Sequence, residues 1–81
     1  MKYEIYGTPV CGYCVQAKRL LTDRELQFEY HDLTTVDSAW QDKLMEVAGQ
    51  QFRTVPQIFT VDEEGQRSYV GGFTELNESL K

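Results

Sequence analysis

A chain of 81 residues is sized for one compact domain, expected here over residues 1–81. The formal net charge is −5 and the eight basic residues are scattered, which argues against nucleic acid as the main partner, since a polyanion selects a surplus of Lys and Arg. No apolar run approaches the ~18 residues of a membrane span, so a cytoplasmic protein without a membrane partner is expected.

Lys2 to Tyr6 alternates polar and apolar residues and predicts a first strand. The same charges leave no apolar stretch of the kind a signal peptide carries. Gly7-Thr8-Pro9 is expected to break the strand. From about Gly12 to Arg24, Val15, Ala17, Leu20 and Leu21 recur around Lys18 and Arg19, predicting an amphipathic helix. Gln27 to His31 reads as a second strand with Phe28 and Tyr30 on one face. Val36, Trp40, Leu44, Val47 and Ala48 recur at helical spacing, and Gly49 is a natural stop.

Pro56 then opens a strand over Gln57 to Val61. Asp62-Glu63-Glu64-Gly65 predicts a turn, with Gln66 to Val70 as the returning hairpin strand. Gly71-Gly72 leads into a short helix from about Phe73 to Leu80. The order is β-α-β-α-β-β-α. A right-handed crossover makes the first two strands parallel, and the hairpin makes the last two antiparallel. The expected product is a mixed four-stranded sheet flanked by three helices, the α/β arrangement of the thioredoxin-like fold.

Only two cysteines occur, in Cys11-Gly12-Tyr13-Cys14, at the predicted strand-to-helix junction. A disulfide between them closes a loop too short to brace the fold, so chemistry explains the pair better than structure. Three readings compete. A zinc half-site lacks ligands, since only His31 offers a third. An inert disulfide fits poorly with the expected reducing compartment. Redox or cluster chemistry suits the position, because a helix N-terminus favours thiolate over thiol. Such sites lower a cysteine pKa from about 8.5 to roughly 3.5–7.5. Cys11, at the helix mouth, is then the attacking thiolate, and Cys14, facing inward, resolves the mixed disulfide.

Taken together, Cys11-Gly12-Tyr13-Cys14, Thr54-Val55-Pro56-Gln57-Ile58-Phe59 and Gly71-Gly72-Phe73-Thr74-Glu75 resemble the glutaredoxins over nearly the whole chain. Lys18-Arg19-Leu20-Leu21-Thr22 and the Gly-Gly-Phe segment also look like the short glutaredoxins of tailed phages. The resemblance implies a glutathione-disulfide oxidoreductase acting on protein disulfides and glutathione mixed disulfides. Glutathione is the implied co-substrate and no cofactor is tightly bound. By spacing alone Pro56 reads as a trans proline that opens a strand; the resemblance implies a cis Val55–Pro56 bond that turns the Val55 backbone toward Cys11. It also implies a glutathione groove formed by Tyr13, Thr54, Val55, Pro56, Gly72, Phe73, Thr74 and Glu75. In it, the Phe73 and Thr74 amides would take the γ-glutamyl carboxylate and Glu75 the amino group. Trp40 and His31 match nothing in that site; Trp40 is expected in the core and His31 at the surface end of a strand.

The sequence departs from the family at two positions. Thr8 stands where many members have lysine, and Arg53 is a candidate for the missing charge toward glutathione. Gly12 replaces the commoner proline, which leaves an alternative open: a dimeric carrier of a glutathione-ligated [2Fe–2S] cluster held by Cys11. A thioredoxin-like protein reduced by a flavoprotein is a third reading. Under the leading one the protein is a monomer in the cytoplasm, of the host cell if phage-encoded, and the implied client is ribonucleotide reductase.

Overall fold

A computed structural model describes all 81 residues, and its elements follow the predicted order. They are β1 (Lys2–Gly7), α1 (Gly12–Asp23), β2 (Phe28–Asp32), α2 (Ser38–Ala48), β3 (Gln57–Val61), β4 (Arg67–Gly71) and α3 (Phe73–Ser79). The sheet order is β2-β1-β3-β4. β1 runs parallel to β2 and antiparallel to β3, and β3 runs antiparallel to β4. This is the expected thioredoxin-like α/β fold.

Being central, β1 has both faces covered. Tyr3 and Ile5 point into a core with Ala17 and Leu21 of α1, Ile58 of β3 and Leu76 of α3. Tyr6 points the other way, into a second cluster with Leu44 of α2 and Phe59 of β3. A fully buried side chain of this size contributes about 1.5–3 kcal/mol. The two clusters therefore clamp the sheet between α1/α3 and α2, and hold the end of β1 where the site begins.

Local signals end the helices. Asp37 caps α2 by accepting the Ala39 N–H at 3.3 Å, and Gly49 stops it at φ 74°. Val36 thus precedes α2 rather than opening it, and packs on the second cluster from the loop. At the hairpin tip, Asp62 Oδ1 accepts the Glu64 and Gln66 amides, and Gly65 takes φ 82°.

Three expectations are corrected. Gly7 does not break β1; it is the strand's last residue and pairs with Asp32. Val15 and Val47 sit in the apolar patterns of their helices, yet they are 53% and 44% exposed. A helix with a narrow buried stripe leaves such flanking positions to solvent. Trp40 lies at the edge of the second cluster, partly exposed, with its indole N–H donating to Tyr6 Oη at 3.3 Å. No helix is long and apolar enough to cross a membrane.

Candidate active site

The short loop from Gly7 to Gly12 delivers Cys11 to the start of α1. Cys11 is the helix N-cap, in extended conformation, and its Sγ accepts the Cys14 N–H at 3.1 Å. Cys11 and Cys14 are joined by a disulfide. The first turn of α1 carries no acidic residue, so nothing there opposes an anion at Cys11. The backbone donor that holds Cys11 Sγ, together with the helix dipole, favours the thiolate once the disulfide opens. Cys11 is partly exposed whereas Cys14 is 2% exposed. An incoming sulfur therefore meets Cys11 first.

The floor beneath Cys14 is made by two residues that the motif does not reveal. A Cβ on Gly7 would fall inside contact distance of Cys14 Sγ and lie 3.3 Å from Tyr30 Cε1. Only hydrogen fits there. Tyr30 donates its hydroxyl to the Thr8 carbonyl at 3.0 Å, fixing the loop that leads into Cys11. Burial, and then the Asp32 charge, hold the Tyr30 hydroxyl above its ordinary pKa, so it remains a donor. Lys18 lies 4.1 Å above the same ring.

Beside the disulfide lies a groove of about 270 Å³ lined by Tyr13, Thr54, Val55, Pro56, Gly72, Phe73, Thr74 and Glu75. These are the residues that the sequence resemblance grouped together. Tyr13 is 60% exposed and stacks on Phe73, with centroids 5.9 Å apart. The Val55–Pro56 bond is cis. Gly71 takes φ 125°, where a side chain would be strained and would collide with Glu75 Cγ at 2.7 Å. Glu75 Oε1 accepts the Gly72 N–H at 2.7 Å, so one carboxylate oxygen is committed to the start of α3.

Arg53 does not line this groove. It borders an adjoining polar depression of about 310 Å³ with Gln50, Gln51, Thr54 and Gln57. His31 and Trp40 belong elsewhere, around a buried carboxylate on the α2 face. There Arg67 grips Glu4 through Nε at 2.7 Å and Nη2 at 3.1 Å, and Tyr6 donates to Glu4 at 3.0 Å. His31 stacks on Tyr6 at 5.0 Å, and Arg67 lies 4.8 Å from the Trp40 ring. Glu4, Glu29 and His31 stand close enough to share a metal ion, but the two carboxylates are already paired with Arg67 and Lys2.

Comparison with known proteins agrees with this geometry. The glutaredoxin family model matches residues 3–65. The chain is 35% identical to glutaredoxin 1 of Escherichia coli over 86 residues, covering 100% of this chain and 94% of that protein. It is also 35% identical to the glutaredoxin of Enterobacteria phage T4 over 90 residues, covering 98% and 99% of the two chains. A buckwheat glutaredoxin–glutathione complex superposes with a TM-score of 0.72 at 26% identity, covering 96% of this chain and 66% of that one. The chain belongs to the glutaredoxin family and is a thiol–disulfide oxidoreductase.

Proposed function

We propose that this chain, as a single domain over residues 1–81, couples glutathione to the reduction of protein disulfides and glutathione mixed disulfides. The observation that carries this reading is the groove that starts at Tyr13, between the two cysteines, and runs to Glu75. The buckwheat relative, solved with glutathione, supports the choice of thiol.

The chemistry follows from the unequal exposure of the two sulfurs. Cys11 thiolate attacks a client disulfide; one S–S bond forms, one breaks, and the departing client thiolate takes a proton from solvent. Cys14 thiolate then attacks Cys11 Sγ, releasing the second client thiol and closing the Cys11–Cys14 disulfide. One glutathione thiolate reopens that bond at Cys11, the more exposed sulfur, and Cys14 leaves as a thiol. A second attacks the bound glutathione sulfur, which regenerates Cys11 thiolate and releases glutathione disulfide. Tyr13, Thr54, Val55, Pro56, Gly72, Phe73, Thr74 and Glu75 would hold the tripeptide meanwhile. Arg53, from its neighbouring depression, would contribute charge toward one end of it.

Deglutathionylation needs Cys11 alone, whereas disulfide reduction needs both cysteines. Cys14→Ser is expected to retain the first activity and lose most of the second, and Cys11→Ser to lose both. Retained turnover in Cys11→Ser would overturn the roles. Supplying electrons from glutathione or from a thioredoxin reductase separates this reading from a thioredoxin-like one. The protein client we propose, on the resemblance drawn from the sequence, is ribonucleotide reductase, tested by reduction of its disulfide in the same coupled assay. The setting we assign is a reducing, glutathione-rich cytoplasm, with the enzyme a monomer.

One observation favours a second reading. A methyl group at Gly12 would meet nothing within 4 Å, so the surface at the residue next to Cys11 is open. Cys11, once freed from Cys14, is a ligand type that iron–sulfur clusters accept. One accessible thiolate per chain would require a dimer with glutathione as co-ligand. Anaerobic treatment with iron, sulfide and glutathione tests this, and a colourless monomer afterward removes it.

A further inference from the structure

The groove's central backbone is held from behind by a side-chain relay that the redox motif does not contain. Gln57 opens β3 and is 3% exposed, an unusual position for an uncharged amide unless all its polar atoms are used. They are used. Its Nε2 donates to the Thr54 carbonyl at 2.8 Å, and its Oε1 accepts the Tyr69 hydroxyl at 2.5 Å. Tyr69 Oη in turn accepts from Gln50 Nε2 at 3.0 Å.

The relay has a direction. Gln50 donates to the tyrosine oxygen, so the tyrosine proton goes to Gln57 Oε1. Gln57 must then turn its amino group, not its oxygen, toward Thr54. Reversing any link would set two donors or two acceptors against each other.

The consequence falls on Val55. The Thr54–Val55 peptide is trans, since the one cis bond of the chain is Val55–Pro56. In a planar trans peptide the C=O and the following N–H point in opposite directions. Drawing the Thr54 carbonyl inward to Gln57 therefore turns the Val55 N–H away from it. That N–H has no hydrogen-bond partner within the chain, and neither has the Val55 carbonyl. Thr54 and Val55 both line the groove.

We propose that Gln57, oriented by Tyr69 and Gln50, is the positioning residue for the Thr54–Val55 peptide, presenting the Val55 N–H to the backbone of a bound glutathionyl group. The inference rests on the groove being the glutathione site. Gln57 and Tyr69 touch no reacting sulfur, so their effect belongs in binding rather than in the chemical step.

Tyr69→Phe is the direct test. It removes one hydroxyl, keeps the ring that packs on Phe59 at 5.2 Å, and leaves Gln57 Oε1 without the donor that anchors the amide against Thr54. With a glutathionylated peptide as substrate, KM should rise about fivefold, the worth of one neutral hydrogen bond. The kcat should stay within about twofold, because uniform binding and not transition-state contact is lost. In ¹H–¹⁵N spectra, S-methylglutathione should shift the Val55 amide in the wild type and shift it less in Tyr69→Phe at the same concentration. Gln50→Ala, at the exposed end of the relay, should move KM in the same direction by a smaller factor, and serves if Tyr69→Phe does not fold. An unchanged KM and an unchanged Val55 response in the folded variant would overturn the positioning role while leaving the glutathione reading intact. A wild type with neither a Val55 response nor glutathione-dependent turnover would overturn both.

Discussion

Gly7→Ala perturbs the floor of the redox site by one methyl group. The new Cβ would lie inside contact distance of Cys14 Sγ, and 3.3 Å from both Cys14 Cβ and Tyr30 Cε1. Cys14 is 2% exposed and bonded to Cys11, so its sulfur cannot swing aside. Tyr30 is tethered through its hydroxyl to Thr8. Overpacking of this kind costs about 1–3 kcal/mol. The φ of Gly7 is not positive, so alanine also narrows the unfolded ensemble, returning about 0.4–1 kcal/mol. Because neither Cys14 nor Tyr30 can yield, the cost falls in the upper part of that range, and the net loss is about 1–2.5 kcal/mol, or roughly 4–20 °C in Tm for a domain of this size. Thermal unfolding followed by circular dichroism, in oxidised and dithiothreitol-reduced samples, measures it. The reduced protein should lose less, because a free Cys14 thiol can change rotamer. An oxidised variant melting within about 2 °C of wild type would refute the steric account.

Arg67→Met leaves Glu4, 8% exposed, without its cation, and should cost about 2–4 kcal/mol, toward the lower side of a broken buried pair because Arg67 itself is 21% exposed; urea unfolding measures it. Burial pushes the Glu4 carboxyl up, but hydrogen bonds from Arg67 and Tyr6, with the Arg67 charge, outweigh it and hold the group below its ordinary value. Its contribution is therefore complete above the ordinary carboxylate range and lost as pH falls through the lower folded value; Glu4→Gln should flatten that acid-side slope in denaturation against pH. Tyr6, pushed up to about 12 chiefly by burial, acts in the opposite sense. Its contribution is complete below about 10, the ordinary phenol value, and lost as pH rises through the folded value, an alkaline arm that Tyr6→Phe should remove. Gly71→Ala, at φ 125° and against Glu75, should destabilise by at least about 1 kcal/mol and loosen the Gly72–Glu75 cap, raising KM for a glutathionylated peptide.

Much of the fold is legible in the sequence. Strand and helix periods put all seven elements in order, and their boundaries differ from the observed ones by a residue or two. The small shifts arise because pairing with a neighbouring strand decides where an end stops; Gly7 joins β1 by pairing with Asp32. The groove residues came from resemblance to a family, not from spacing, since Tyr13, Val55 and Glu75 are far apart along the chain. The burial of Glu4 carries no signal of its own in the sequence: it follows from β1 lying between β2 and β3, with α2 covering that side.

By itself, the sequence determined the local matters: the redox pair at a helix N-cap, the turns, and the order of elements. These depend on residues within a few positions of one another. Tertiary structure decided why only glycine fits beneath Cys14, and how Gln57 and Tyr69 hold Thr54 from behind. Each of those depends on side chains brought together by sheet register, and register is a property of the paired strands rather than of any one of them.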